Sequence, residues 1–393
     1  MVPTISALIG ADEFFNHQVV NTHASVGTGD RSWTEKIWFT LMRKDAALQA
    51  SFGLGKYTNR NVMDGFAGIQ RGTTQRTVRA SRVLLPQIDE MVVGPLCYEV
   101  IEPFRKLRIA VAENSAQPFR YDLIFTSDLP AFFENRDIVL AGGRTASDVI
   151  RYHQGGTVEG WIEIEGERIT VEPGDWYGFR DHSWGIREHV GLDPTDLVPG
   201  NLVPTSASKA GSNYHFNWLV SQIVRPDGSR YELAYYFRDF GGDGPPQFLS
   251  GFINEADGQQ TPILHLYPEM TYRTIDMAAI QGRIHVFVAG KGREVIERIF
   301  EIEAIDSEMG FRLLPGMYGA WKGQLHGSFK GEDFLDGESI DDVNHPDKTT
   351  ENYRWQIRDR PVRIREGENK GYGDMESIIL GNYPGVTFAE GRG

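Results

Sequence analysis

A single cysteine, Cys97, stands in the 393 residues, so no intrachain disulfide framework is available and a reducing compartment suits the chain. Cys97 itself reads as a small buried hydrophobe, since no partner base sits beside it in sequence. Long apolar runs are equally scarce. No stretch approaches the roughly 20 residues of a membrane span, and the first apolar stretch lacks a basic flank and is broken by Asp12-Glu13. A cytoplasmic protein without membrane insertion is expected. Basic residues are outnumbered 40 to 54, for a net charge of −14, which argues against a nucleic-acid partner held by its phosphates. The acidic surface allows a homodimer without requiring one.

The familiar cofactor signatures are missing too. There is no His-Glu-x-x-His and no Cys-x-x-Cys, and His182 and His189 do not form a standard ligand pair. Gly290-Lys291-Gly292 and Gly241-Gly242-Asp243-Gly244 lack the remainder of a phosphate or dinucleotide loop. No Gly-x-Ser-x-Gly elbow appears. The expectation is therefore no metal and no cofactor, with chemistry done by acid–base side chains. A metal site assembled from separate strands is left open by spacing alone.

What is present is strand rhythm. Period-2 runs recur between turn residues, helped by 44 glycines and 19 prolines. Strands are expected at 34–44, 48–58, 74–84, 96–102, 107–113, 119–127, 148–154, 158–164 and 168–171. Beyond a Pro/Gly/Ser/Thr-rich stretch they resume at 213–224, 229–238, 247–254, 261–267, 283–288 and 294–305. Pro226-Asp227-Gly228 is a strong hairpin turn. Helices are expected only at 11–18 and 128–135. The acidic segment 331–348 reads as a solvated loop, because its carboxylate spacing is not that of a calcium loop. The fold class is all-β, two packed barrels or sandwiches with few short helices. The expected boundaries are a first domain at 1–195, a linker at 196–210 and a second domain at 211–393.

The densest chemistry lies at Arg180-Asp181-His182-Ser183-Trp184-Gly185-Ile186-Arg187. Strand alternation sends Asp181, Ser183 and Gly185 to one face and His182, Trp184 and Ile186 to the other. Gly178 and Gly185 would permit a bend. An ordinary strand end with surface ion pairs is the alternative. Further candidates are Tyr57, Asn59 and Arg60 at one strand end, then Tyr98 and Glu102, and then His153. Alternation places Tyr98 and Glu102 on one face, and an inward Glu102 would need a partner. Structural Glu–Arg bridges and a satisfied core histidine are the plainer readings. A carbohydrate-active pair at Glu99 and Glu102 is weaker, since neighbours on one strand do not make an opposed pair of carboxylates.

Tyr57-Thr58-Asn59-Arg60, Tyr98 to Pro103, Arg151-Tyr152-His153-Gln154, Arg180 to Arg187 and Gly371-Tyr372-Gly373 together resemble an uncharacterised bacterial family. That family is similar to the carotenoid 1,2-hydratases (hydroxyneurosporene synthases) and to AttH-like proteins. The resemblance covers most of the chain, and its link to the hydratases rests on architecture and on Asp181 to Gly185. It implies two lipocalin-like β-barrels around a largely apolar cavity, where acid–base side chains protonate a double bond and direct water to the cation. On that resemblance His182 and Trp184 match a His-x-Trp element, and Asp181 orients the imidazole or supplies the proton. Tyr236 and Asp239 are the nearest match to a later Tyr–Asp pair, while Arg60 and Arg187 could hold a developing anion. The expected function is a lyase, adding or removing water or eliminating a small aldehyde. Its substrate would be a hydrophobic aromatic or isoprenoid molecule such as a plant-phenolic dimer. The alternative is a non-catalytic lipocalin-like carrier of a hydrophobic small molecule.

Overall fold

The computed structural model describes residues 10–15, 17, 26–141, 144–191, 213–241, 246–292, 294–344 and 357–390. Two largely antiparallel sheets account for nearly all of its regular structure: a curled, open half-barrel and a closed eight-stranded barrel.

The half-barrel begins with a meander of β1 (Trp33–Arg43), β2 (Gln49–Tyr57), β3 (Val62–Arg71) and β4 (Thr74–Val83). It continues through β5 (Val92–Val93), β6 (Leu96–Glu102), β7 (Lys106–Val111) and β8 (Phe119–Thr126). Then come β9 (Phe132–Phe133), β10 (Asp137–Ala141), β11 (Arg144–Ile164), β12 (Glu167–Val171) and β13 (Trp176–Ile186). β13 lies between β1 and β11, at the middle of the sheet. Apolar residues of one face, among them Ile37, Phe39, Phe52, Leu123 and Ile162, are fully buried and fill the concave side.

The second sheet runs through β14 (Tyr214–Val224), β15 (Arg230–Asp239), β16 (Phe248–Glu255), β17 (Gln260–Arg273), β18 (Ala279–Ala289) and β19 (Val295–Ala304). After β20 (Phe311–Arg312) and β21 (Asp333–Ile340) it is completed by β22 (Arg358–Glu366), β23 (Asn369–Leu380) and β24 (Val386–Ala389). Pairing of β16 with β17 closes the barrel, and β24 is added parallel to β17. Leu219, Tyr235, Leu266, Ile284, Phe300 and Ile364 pack its interior, as expected for eight strands, whose bore is just wide enough for side chains.

The sheets meet along an aromatic seam. Trp38, Tyr177 and Phe179 from the half-barrel pack on Phe216, Trp218 and Val220 of β14. Trp38 and Trp218 form an edge-to-face pair with centroids 5.5 Å apart, and Tyr177 stacks on Tyr372 at 5.0 Å. Such pairs add about 0.5–1.5 kcal/mol each beyond their burial.

Several expectations need correction. Among the described residues, 11–18 hold a one-turn 3-10 helix at Gly10–Glu13, and 128–135 hold no helix but the two-residue β9. Gly-Ala-Asp-Glu lacks the apolar stripe that would anchor a longer helix. β3 and β22 lie outside the expected strands, the first because it is buried along nearly its whole length and shows no alternation. The expected linker at 196–210 lies outside the described residues.

Within the acidic segment, residues 333–340 form a strand rather than a solvated loop. Asp333–Ile340 pairs with β4 at the edge of the half-barrel, so a segment from the second half of the chain completes the first sheet. Buried Arg79 reaches Asp336 at 2.5 Å and the carbonyl of Pro315 at 3.2 Å. Asp336→Asn is expected to weaken this docking by about 1 kcal/mol, since Asp336 is partly exposed. Amide exchange across 333–340 should then quicken about fivefold, with global stability little changed. Unchanged exchange there would contradict the ion pair's role.

Candidate active site

β13 carries chemistry on both faces, and alternation keeps the two apart. Its register sets His182 opposite Ile37 and Tyr152, and Asp181 opposite Trp38 and His153. Arg180, His182 and Trp184 therefore enter the concave side of the half-barrel, whereas Asp181 and Ser183 face the barrel. At Gly185, with φ +133°, an added Cβ would lie 2.0 Å from the carbonyl of Asp148, so only glycine permits this close crossing.

The concave face holds a dense buried network of hydrogen bonds and ion pairs. Arg180 forks onto Glu13 with two 2.6 Å bonds and donates to Gln154 Oε1 at 2.7 Å. The Tyr152 hydroxyl lies 3.0 Å from Glu13 Oε1 and 2.9 Å from His182 Nδ1. His182 Nε2 lies 3.0 Å from Glu35 Oε1, and Trp184 stacks on His17 with centroids 3.4 Å apart. Burial alone would raise both glutamates, but Arg180 and His182 hold Glu13, and His17 and His182 hold Glu35, below the usual carboxylate range.

Between the sheets the balance differs. Asp359 of β22 and Asp374 and Glu376 of β23 bring carboxylate oxygens within 4.8 Å of one another. Burial pushes all three upward, reinforced at Asp359 and Asp374 by repulsion from their neighbours; Glu376 reaches about 8 by burial, against the pull of Arg151. Trp38 Nε1 donates to Asp359 Oδ2 at 3.3 Å.

Facing them from the half-barrel is a cationic wall. Arg151 contacts Asp181 at 3.2 Å and Glu134 at 3.4 Å, and its guanidinium lies 5.8 Å from the Tyr236 ring centroid. Glu134 also accepts from Trp218 Nε1 at 3.0 Å and sits 3.0 Å from His153 Nδ1. Burial would raise Glu134, but Arg151 and His153 hold it at about 2. Lys36 Nζ lies 3.1 Å from the Tyr318 hydroxyl and 3.2 Å from His326 Nε2. Burial, reinforced by Arg187, lowers Lys36 to about 7. Neutral acids, a near-neutral amine and two guanidiniums thus share one buried region. That combination can give and take protons at neutral pH and can hold an anion.

The sequence candidates divide between these places. Asp181, His153 and Arg187 join the wall between the sheets, Arg187 through its bond to Ser183 and its field on Lys36. His182, Trp184 and Tyr98 belong to the concave network, Tyr98 donating to Glu13 at 3.3 Å. Asp181 and His182 are therefore not a contacting pair, because consecutive strand residues point to opposite faces. Tyr57 is buried and packs near His326, with ring centroids 6.4 Å apart.

Asn59 and Arg60 tie down neighbouring backbone. Asn59 donates to the carbonyls of Thr28 and Asp30 at 2.7 Å, and Arg60 to those of Arg31 at 2.6 Å and Val190 at 2.7 Å. The inward Glu102 is corrected: it is exposed beside Arg105 at 3.7 Å, because a register shift between Val100 and Glu102 breaks the alternation. Tyr236 joins the Arg151 wall, while Asp239 lies on the opposite face of β15 and accepts from Tyr383 at 2.6 Å.

The three carboxylic acids are not among the residues expected from the sequence. Asp374 and Glu376 are two apart on a strand, so they share a face, and that signal was legible. Asp359 was not, since its partners lie across a sheet pairing.

A family model described as a family of unknown function (DUF8625) matches residues 8–244. No curated protein matches the chain. Among solved structures, an AttH-like protein of Nitrosomonas europaea aligns at a TM-score of 0.53 and 13% identity, over 96% of this chain and 99% of that one. Kievitone hydratase from Nectria haematococca aligns at 0.48 and 13%, over 96% and 94%. CghA with Sch210972 aligns at 0.48 and 9%, over 93% and 94%. The AttH-like match shows a shared fold, and activity has to be argued from the residues.

Proposed function

Because the chain belongs to this family of unknown function, its chemistry is argued from the site, and we propose that it is a lyase working by acid–base catalysis between its two sheets. The observation that carries this reading is the Asp359–Asp374–Glu376 cluster, kept protonated by burial and faced by Arg151, with Tyr318 linking it to Arg187 and Lys36. Glu376 serves as general acid, giving its proton to a double bond or to a departing oxygen. Lys36, near 7, accepts the proton that an attacking water or a substrate hydroxyl must lose. Arg151 and Arg187 hold charge that develops on a phenolate or enolate oxygen. Trp38, Trp218, Tyr236 and Tyr318 offer flat apolar walls, which suit an aromatic or isoprenoid substrate.

The test is incubation of the purified protein with terpenoids and plant-phenolic dimers in deuterated water. Addition of water or elimination, with solvent deuterium entering at carbon wherever a double bond is protonated, supports the lyase. Saturable binding of these compounds without turnover would instead make the chain a carrier.

A further inference from the structure

On the concave face, away from the carboxylic acid cluster, we infer that His17, Glu35 and His182 form a binding site for a divalent transition metal of the zinc class. His17 Nδ1 lies 2.6 Å and His182 Nε2 lies 3.0 Å from the same oxygen, Glu35 Oε1. Two imidazole nitrogens and a carboxylate oxygen therefore converge on one point, the ligand types that zinc takes. Glu35 and His182 are wholly buried and fixed on β1 and β13, and the His17 side chain is 12% exposed.

The outer nitrogens are held as metal-binding histidines are held. His17 Nε2 lies 3.1 Å from Asp12 Oδ1, which obliges that nitrogen to carry a proton. His182 Nδ1 lies 2.9 Å from the Tyr152 hydroxyl. That hydroxyl has one proton, and the charged Glu13 Oε1 at 3.0 Å is its best acceptor, while Arg180 donates to the same oxygen at 3.2 Å. The His182 Nδ1 contact is then completed by an N–H on the imidazole. Such carboxylate and hydroxyl partners fix the tautomer that leaves the inner nitrogen free for a metal.

With both outer nitrogens protonated, the inner pair meets Glu35 either as two more N–H groups or as two lone pairs. The second arrangement repels unless a cation sits among the three atoms. One divalent cation in place of two protons leaves the net charge of the cluster unchanged. Metal–ligand bonds near 2.0–2.1 Å in a tetrahedron put donor atoms about 3.3 Å apart. The triad must therefore open by less than about 1 Å, with a fourth position left for water. Bound there, the metal would pin the 10–17 segment to β1 and β13. The ligands are too far apart in sequence for any spacing motif to reveal them.

The experiment uses tag-free, chelator-stripped protein titrated with Zn2+ by calorimetry and with Co2+ by visible absorption. One equivalent of Zn2+ is expected, together with a tetrahedral Co2+ spectrum. His17→Ala, which changes a side chain outside the sheets, is expected to stay folded and lose at least about tenfold in affinity, and Asp12→Asn about tenfold. Zn2+ should raise the Tm of the wild type and not that of His17→Ala. No uptake by the wild type, or uptake in His17→Ala within tenfold of it, would overturn the site. The readouts need no turnover, so they are independent of the lyase proposal.

Discussion

Glu376→Gln is expected to lower kcat about a thousandfold on any substrate the wild type converts, with substrate Kd nearly unchanged. General acid catalysis contributes about 10²–10⁴ in rate, and a glutamine amide of the same shape has no proton to give. The substitution also removes one of three crowded carboxyls, so the fold should hold or gain stability. The pH dependence follows from the same groups. Glu376 must be protonated and loses its proton near 8, while Lys36 must be neutral and becomes so near 7. A narrow bell in kcat between those limits is therefore expected, and its alkaline limb should disappear from the residual activity of the variant. Rate measurements on wild type and variant, beside calorimetric Kd values, decide the matter. Full activity in Glu376→Gln would remove this residue from the mechanism.

The second large effect is on stability, at a carboxyl outside the proposed site. Glu232 on β15 is 2% exposed, accepts the N–H of Gly155 at 3.1 Å and lies 3.5 Å from Asn254 Nδ2. Burial pushes it from its ordinary 4.5 to about 8. Between those values the folded chain keeps a proton that the unfolded chain has released. Glu232 therefore favours folding most at low pH, and its contribution falls by about 1.4 kcal/mol for each pH unit up to about 8. Glu232→Gln does not titrate. Its stability relative to wild type should rise by on the order of 4 kcal/mol between pH 5 and pH 8. Urea unfolding of both proteins at the two pH values measures this directly. The difference between the proteins cancels the opposing titration of buried His153, His215 and His326, which burial lowers. A difference independent of pH would mean that Glu232 titrates alike in both states.

Alternation and turn chemistry are local properties, and the sequence by itself determined what depends on them. The all-β class, the Pro226-Asp227-Gly228 hairpin, most strand positions and the separation of Asp181 from His182 onto opposite faces all follow from side-chain period and backbone preference. Even Asp374 and Glu376 were bound to share a face. Tertiary structure alone decided what those faces meet. Asp359 lies beside Asp374 because β22 pairs with β23 in one register, and Arg151 lies across from them because two sheets pack face to face. β21 returns to the first sheet for a similar reason: Arg79 there is buried and needs a carboxylate from far along the chain. Register between distant strands and the choice of packing partner arise from sums of many weak contacts, and no short stretch of residues encodes them.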